Sequence, residues 1–431
     1  MPSPTPPGPR SPRLLQAVRF IRSHGDVVTD CHERYGDTFQ LNFQRHRWNV
    51  FSDPEAIRTI FTAPADVLHA GEGNEILETA LGRHSVLTLD EGEHMRQRKL
   101  LLPPFHGEML ARQMATIEAV AEREVARIPM GEPFAMRNHS QAIALEVILE
   151  VVMGTESNGE EHDRLAAVTV EILEFLSRPA VFFTAAVLGP RHRITKRLHR
   201  DVLSRLDGAL YRLIRERRAA SDLEDRGDVL SMLLLASDED GTAMTDAEIR
   251  DELVTLIAAG HETTATALAW ACERLTRVTG GAERLHEESL TDSTEYARAL
   301  AHETLRLRPV LDFVVRRVAK PIEIGGYSFQ PGETVTPCIK LVHLRPDIYP
   351  DPLEFKPERW IGEKPGTYTW IPFGGGVRRC IGASFAMAEF EIVMRAIGRA
   401  GVLLPVGEPE APTQRFITTS PARGGEVRFA T

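Results

Sequence analysis

The sequence predicts a mainly α-helical fold with small β-sheets, because helical periodicity runs along most of the chain and strand signals come late. Apolar residues recur at three- and four-residue spacing, with charged residues between them, in the stretches 52–63, 109–128, 140–154 and 199–220. Residues typical of strands, punctuated by a Gly-Gly pair and a Pro-Gly pair, occur at 321–337. We therefore predict helices as the main elements, with small sheets beside them.

Composition limits the size of the fold and the class of partner. The 431 residues are 42% hydrophobic, which is enough for a large core in one large enzyme domain or in two or three smaller domains. The formal net charge of −10 argues against nucleic acid as the main partner, because phosphate binding needs a basic surface.

Cysteine usage and the first residues both predict a soluble, cytoplasmic protein. The four cysteines, Cys31, Cys272, Cys338 and Cys380, have no short regular spacing. This pattern favours neither a disulfide framework nor a zinc site, and it fits a reducing cytoplasm. Residues 1–12 are proline-rich and are unlike a signal peptide or a membrane anchor. The longest apolar stretch, 180–189, is about half of what spans a bilayer.

One long helix can be predicted from its ends. Thr245 and Glu248 form a capping box, Asp246 places negative charge in the first turn, and the pair Gly280–Gly281 is expected to end the helix. Such a helix is about 50 Å long. Its middle, 253–272, is apolar on nearly all sides, which predicts burial in a large core.

A polar group interrupts this buried helix at "GHETT", residues 260–264. A zinc motif of the HExxH type is excluded, because Ala265 stands where the second histidine ligand would be. Two interpretations stay open. Glu262 pairs with a neighbouring base while Thr263 and Thr264 bond back to carbonyls, or the helix breaks beside a cavity where a hydroxyl and a carboxylate pass protons.

A single thiol near the end of the chain is set in an unusual context. Cys380 follows the glycines 374–376 and the pair Arg378 and Arg379, and it directly precedes a helical pattern at 381–400. The helix N-terminus and the arginines favour a thiolate, and the glycines let the backbone come close to a flat or anionic group. The alternative is a buried free cysteine in a glycine-rich turn.

Two charge pairs complete the pattern. Glu303 and Arg306 lie three residues apart on a helix that must stop before Pro309, and His94 and Arg98 lie one turn apart. Either pair alone is typical of a solvated helix face.

Together these segments resemble the cytochrome P-450 superfamily of haem-thiolate monooxygenases, in the expected order over essentially the whole chain. The family loop F-x-x-G-x-R-x-C-x-G is matched by Phe373, Gly376, Arg378, Cys380 and Gly382. The motif [AG]-G-x-[DE]-T is matched by Ala259, Gly260, Glu262 and Thr263, and E-x-x-R by Glu303 and Arg306, with Arg359 as the third member of that cluster. The resemblance implies the P-450 fold, a single large domain over 13–431 after a proline-rich tail at 1–12, with a long central helix over the haem.

The resemblance also implies a cofactor, haem b, and roles for individual residues. Cys380 would be the axial ligand of the haem iron, and Glu262 and Thr263 would deliver protons during oxygen activation. The residues expected to contact the haem are Ala259, Gly260, Phe373, Gly374, Arg378 and Gly382, and those expected at its propionates are His94, Arg98 and Arg316.

The implied activity is insertion of one oxygen atom from O2 into a lipophilic small molecule, by C–H hydroxylation or epoxidation. Electrons would come from a separate ferredoxin or flavodoxin with its reductase, which could dock on a local basic patch of Arg96, Lys99 and Arg379, unless these are scattered solubilising charges. A peroxide-dependent or isomerising haem-thiolate enzyme and a non-catalytic haem sensor are the alternatives.

The expected substrate pocket lies in segments that the resemblance identifies. Its residues would be Ala258, Val310, Asp312 and Phe313, with further lining from 67–90 and 171–183. Most of these residues are apolar, which predicts a lipophilic substrate. Asp312 could bond an amine or hydroxyl of that substrate, or cap a turn away from it.

Overall fold

The computed structural model describes residues 5–43, 46–156, 159–178, 181, 184–185, 188–415 and 417–431. The α-helices of this part of the chain are α1 (Arg13–Tyr35), α2 (Pro54–Thr62), α3 (Ala70–Gly73), α4 (Glu78–Leu81), α5 (Glu91–Leu101), α6 (Gly107–Val125), α7 (Met136–Val147), α8 (Glu160–Leu176), α9 (Arg193–Arg218), α10 (Val229–Leu235), α11 (Asp246–Leu275), α12 (Gly281–Ser289), α13 (Glu295–Leu307), α14 (Ile339–His343) and α15 (Ala383–Ala400). A π-helical stretch, Ile148–Val152, continues α7.

The strands are short and form small sheets, as predicted. They are β1 (Thr38–Asn42), β2 (Arg47–Phe51), β3 (Leu68–His69), β4 (Phe134–Ala135), β5 (Arg316–Val318), β6 (Ile322–Ile324), β7 (Tyr327–Phe329), β8 (Thr334–Pro337), β9 (Leu403–Pro405), β10 (Pro412–Arg415), β11 (Thr418–Pro421) and β12 (Glu426–Phe429). The largest sheet has the order β1-β2-β8-β5-β3, a second has the order β4-β12-β9, and β6-β7 and β10-β11 form two-stranded sheets.

Strand pairing in the largest sheet joins the start of the chain to its last third. β2 and β8 pair in parallel, with Trp48 opposite Thr334, whereas the other neighbours in this sheet are antiparallel. The side chain of Asn49 supports this pairing by donating to the Thr334 carbonyl at 3.0 Å.

The central helix α11 begins as predicted but ends earlier. The Thr245 hydroxyl and the Glu248 carboxylate form the reciprocal capping box, which fixes the first turn. The helix stops at Leu275, because tighter bonds such as that from the Val278 amide to the Leu275 carbonyl replace the α-helical pattern. Gly280, with φ of +70°, precedes α12 instead of ending α11. The 30 residues of α11 span about 45 Å.

Most of the core surrounds α11. This helix packs on α7, α9, α13 and α15 and on β11, and α15 packs in turn on α6 and α12. Buried apolar side chains from these helices form one continuous cluster. Trp270 of α11 is the largest fully buried side chain among the described residues. A smaller cluster joins α2 to the largest sheet and includes Phe51, Ile57 and Phe61.

The described residues 5–12 of the proline-rich N-terminal segment pack against the fold. The Gln40 amide donates to the Pro7 carbonyl at 2.7 Å, and Pro6 is buried. The buried amide side chain of Gln16 donates to the carbonyls of Pro9 and Ser11. Carbonyls of a proline-rich segment accept hydrogen bonds without needing amide donors, so this segment can lie along the outer strand β1.

Candidate functional site

The loop that carries Cys380 is closed by its own backbone. The Cys380 amide donates to the Phe373 carbonyl at 2.9 Å, and the Arg379 amide donates to the Gly376 carbonyl at 3.1 Å. A short 3-10 turn, Gly376–Arg378, lies inside this closure, and α15 begins three residues after the cysteine. The thiol therefore lies beside the N-terminal end of a helix of 18 residues.

Two of the three glycines in this loop lie against α2. A Cβ atom on Gly376 would lie 1.8 Å from the carbonyl oxygen of Phe61, and one on Gly375 would lie 2.3 Å from the Phe61 ring. Gly374 and Gly376 also have positive φ angles, +68° and +62°, which side chains disfavour. The glycine run thus fixes the loop by close contact with α2 as well as by its backbone conformation.

Cys380 differs from the other three cysteines because its side chain is exposed, whereas Cys31, Cys272 and Cys338 are buried. Protein atoms nevertheless surround the Cys380 thiol densely, and this burial raises its pKa. The sulfur therefore lies at the floor of a recess. A hydrogen bond from the Gly382 amide and the charges of Arg98 and Arg379 act in the opposite direction and favour the thiolate.

Basic side chains from three parts of the chain, α5, β5 and the cysteine loop, meet beside this recess. His94 is buried, and burial together with the charges of Arg378, Arg98 and Arg316 lowers its pKa to about 3. Burial also lowers the pKa of Arg316 and of Arg378 to about 10. Asp90, which accepts a hydrogen bond from Arg378, offsets only part of this charge. The His94 Nδ1 atom has no hydrogen-bond partner among the described residues.

A second charged cluster is fully formed below the cysteine loop. The Glu303 carboxylate accepts two hydrogen bonds from Arg306, both at 2.8 Å, and a third from Arg359 at 3.1 Å. The Lys356 amide and the Trp360 indole nitrogen donate to the same carboxylate at 2.8 and 2.9 Å. The structure thus brings Glu303, Arg306 and Arg359 together in one hydrogen-bonded group, in which Glu303 and Arg306 are fully buried.

His343 connects this cluster to the cysteine loop, and sequence reasoning missed it. Its Nε2 atom accepts the Ile371 amide at 2.8 Å, while its Nδ1 atom lies 3.2 Å from the Arg306 carbonyl. Burial and the Arg306 charge lower its pKa to about 3, so the ring is neutral and can accept and donate at once. Ile371 lies two residues before Phe373, where the loop closes. No helical or strand periodicity distinguishes this histidine in the sequence.

The polar group of the central helix adopts most of the paired arrangement, but Thr264 donates to the Glu389 side chain and not to a backbone carbonyl. The Glu262 carboxylate accepts two hydrogen bonds from Arg137 on α7, both at 2.9 Å, and one from Gln141 at 3.2 Å. The Thr263 hydroxyl donates to the Ala259 carbonyl at 2.5 Å. Arg137 is the base that the sequence could not name, because it lies 125 residues away along the chain.

A buried acid lies on another side of the same helix. Glu389 of α15 is fully enclosed, and burial raises its pKa to about 8, although a hydrogen bond from Thr264 at 3.3 Å partly opposes that shift. Its Oε1 atom has no partner among the described residues. The carboxyl group is therefore protonated at neutral pH.

The folded state holds this proton up to about pH 8, whereas an unfolded glutamate loses it near pH 4.5. The free energy of unfolding should therefore fall as pH rises through that window, by about 3 kcal/mol between pH 5 and pH 8. Glu389→Gln should remove this part of the pH dependence, measured by urea unfolding at both pH values. The matched control is Glu391→Gln, two residues along α15, which should keep the slope. An unchanged slope in Glu389→Gln would contradict the protonated assignment.

Two residues of the predicted pocket pack against α1. The Asp312 carboxylate is buried and pairs with His24 of α1 at 2.8 Å, whereas its place in the substrate pocket stays a prediction. The Phe313 ring packs on Phe20 and Trp48, with ring centres 5.5 and 5.0 Å apart.

The other predicted pocket residues are placed as follows. Ala258 is half-buried on α11, and Val310 is buried just after α13. Part of the predicted lining segment 171–183 lies outside the described residues.

The predicted basic docking patch is largely neutralised. Arg96 pairs with Asp238 and Glu248, both at 2.6 Å. Lys99 pairs with Glu239 at 2.7 Å. Arg379, next to the cysteine, is exposed and is the member of the predicted patch that has no carboxylate partner among the described residues.

The fold and the site, with a recessed thiol beside buried guanidinium groups, define a haem-thiolate protein. A sequence model of the family "Cytochrome P450" matches residues 2–400, and the chain belongs to the cytochrome P450 family. Cytochrome P450 135B1 of Mycobacterium tuberculosis is 40% identical over 98% of this chain and 91% of its own length. Cytochrome P450 135A1 of the same species is 36% identical over 98% of this chain and 95% of its own length.

A solved structure gives the same fold. The retinoic acid bound cyanobacterial CYP120A1 covers 99% of each chain with a TM-score of 0.85 and 22% sequence identity. The motif-based recognition, the fold class and the enzyme class are thereby confirmed: this is a P450 monooxygenase with haem as its cofactor. Within the described residues, no helix is both long and apolar enough to cross a membrane.

Proposed function

We propose that this chain uses haem b to insert one oxygen atom from O2 into a lipophilic small molecule, by C–H hydroxylation or epoxidation. The observation that carries the proposal is the exposed Cys380 thiol in a recess beside three buried or half-buried guanidinium groups. Bound haem-thiolate supplies the activation of O2 that such an insertion needs.

The residues of the recess fit a flat group with one metal and two carboxylates. Cys380 would ligate the iron, with its thiolate favoured by the Gly382 amide. Arg98, Arg316 and Arg378 carry more positive charge than Asp90 offsets, so they would bind two propionates. The unpartnered Nδ1 atom of the neutral His94 supplies a further hydrogen-bonding position.

Proton delivery is proposed for Thr263 and Glu262. The Thr263 hydroxyl now donates to the Ala259 carbonyl, and rotation about its Cα–Cβ bond would present the same proton to the pocket side of α11. Glu262 is held by Arg137, so it would take part only when that pair opens toward solvent. Arg137 therefore acts as a positioning residue for the carboxylate.

The substrate is proposed to be lipophilic because the remaining pocket residues are apolar. Ala258 and Val310 would line the pocket, and the Asp312 carboxylate would stay in its pair with His24. With the Asp312 carboxylate already paired, this part of the pocket is less suited to an amine than the sequence alone suggested.

Electrons are proposed to come from a separate ferredoxin or flavodoxin with its reductase, docked near Arg379. We expect Arg379→Glu to slow reduction by an acidic ferredoxin about tenfold, because opposite charges speed association. Turnover with added peroxide, which needs no ferredoxin, should fall much less, because only the charge of Arg379 beside the Cys380 thiolate is then lost. Arg200→Glu on α9, also an exposed arginine, is the control for net charge. Equal slowing by both variants would show that net charge, not docking at Arg379, sets the rate.

The ligand assignment is tested by the difference spectrum of the dithionite-reduced protein with and without carbon monoxide. We expect a strongly red-shifted Soret band for the wild-type protein and its loss in Cys380→Ser, because the thiolate causes the shift. Cys31→Ser, which alters a cysteine on α1, should keep the band. A band that survives in Cys380→Ser, or protein without haem, would overturn the proposal.

A further inference from the structure

The first half of α1 exposes apolar side chains in a row. Leu14, Leu15, Val18 and Ile21 are each between 40% and 60% exposed. With 3.6 residues per turn, Leu14, Val18 and Ile21 fall within a sector of about 60°, with Leu15 beside it. We call these four residues the α1 stripe. A contiguous exposed row of this kind marks an interaction surface more often than scattered single residues do.

The stripe cannot turn inward, because the opposite face of the same half-helix is fixed. Gln16 is buried and bonded to the carbonyls of Pro9 and Ser11, and its Oε1 atom accepts the Asn42 amide at 2.9 Å. The Phe20 ring packs on Trp48 and on Phe313. Because Gln16 and Phe20 hold the opposite face, the α1 stripe points away from the protein.

A break separates this half-helix from the rest of α1. Ser23 has φ of −159° and ψ of 77°, outside the helical range. Immediately after the break, the buried pair of His24 with Asp312 fixes α1 to the segment that precedes β5. The unit Arg13–Arg22 is therefore a short helix of its own, held on one side.

The charge around the stripe is opposite to that of the whole chain. Residues 1–25 contain four arginines and no aspartate or glutamate, whereas the complete chain carries a net charge of −10. All four, Arg10, Arg13, Arg19 and Arg22, are exposed. Arg19 shares an exposed ion pair with Asp30 at 3.3 Å, and such pairs are weak in water.

We propose that this half-helix docks on the surface of an anionic lipid bilayer, with the α1 stripe in the interface and the arginines among the headgroups. An exposed apolar row flanked by arginines suits an interfacial helix, which lies on a membrane and does not cross it. A second copy of the chain is disfavoured, because two basic stripes would repel each other. The proposal goes beyond the proposed oxidation and does not depend on it.

The test is flotation of the full-length, haem-loaded protein with phosphatidylcholine vesicles that contain or lack phosphatidylglycerol. We expect partition onto the anionic vesicles at low salt, and weaker partition at high salt or without phosphatidylglycerol. The triple variant Leu15→Ser, Val18→Ser and Ile21→Ser should bind at least about tenfold more weakly, since it loses the inserted apolar surface. Arg13→Gln with Arg22→Gln should weaken only binding to anionic vesicles.

A matched control removes at least as much exposed apolar surface elsewhere. Leu235, Leu290 and Leu353 are between 48% and 76% exposed, and their replacement by serine should leave vesicle binding unchanged. An unaltered carbon monoxide spectrum would show that each variant is folded. Three results would overturn the proposal: no partition of the wild-type protein, equal loss in the control, or a lipid-free dimer that the stripe variant abolishes.

Discussion

Replacing Glu303 with glutamine is expected to lower the free energy of unfolding by about 3–5 kcal/mol and to cost the protein its haem. The carboxylate is the shared acceptor for Arg306, Arg359, the Lys356 amide and the Trp360 indole. Arg306 has no exposed surface, so its charge would be left buried without an opposite charge. The amide group of glutamine would also turn donors toward a guanidinium that has only donors to offer.

The measurement is urea unfolding with the haem content recorded for each variant. Glu358→Gln is the matched control, because Glu358 pairs with Arg284 at 3.4 Å where both side chains are exposed. Exposed pairs of this kind contribute less than about 1 kcal/mol. If the two variants lost equal stability, the buried cluster would not be what holds the cysteine loop in place.

The fold was predictable where its signals are local. The capping box of α11 defined the start of that helix because Thr245 and Glu248 contact each other directly. Its end was wrong, since a glycine can start the next helix as well as end the previous one, and Gly280 does the former. The parallel pairing of β2 with β8 had no local signal at all, because Asn49 and Thr334 are 285 residues apart.

The candidate site likewise has parts that the sequence could predict and parts that it could not. Residues at fixed sequence spacings define the cysteine loop and the Glu303–Arg306 pair, so both could be identified from the sequence. Arg137 pairs with Glu262, and His24 pairs with Asp312. Both partners lie on helices that are distant in sequence, so no periodicity could assign them. The burial of Glu389 was not predictable either, because it depends on how α15 packs against α11.

Replacing Gly376 with alanine is expected to prevent stable haem binding, whereas the same change at Gly374 should be tolerated. Both glycines have similar positive φ angles, so alanine at either position pays the same conformational strain of about 1–2 kcal/mol. At Gly376 the new methyl group would also overlap the Phe61 carbonyl oxygen at 1.8 Å, while at Gly374 nothing lies within 4 Å.

The pair of variants therefore separates backbone strain from contact with α2. The Phe61 carbonyl belongs to α2 and cannot move aside as a flexible side chain could, so the cysteine loop itself must shift and carry Cys380 with it. The ratio of haem absorbance to protein concentration measures that shift, and urea unfolding should show a loss above about 3 kcal/mol for Gly376→Ala only. Equal haem retention in the two alanine variants would mean that the φ angle, and not the contact with Phe61, positions the thiol.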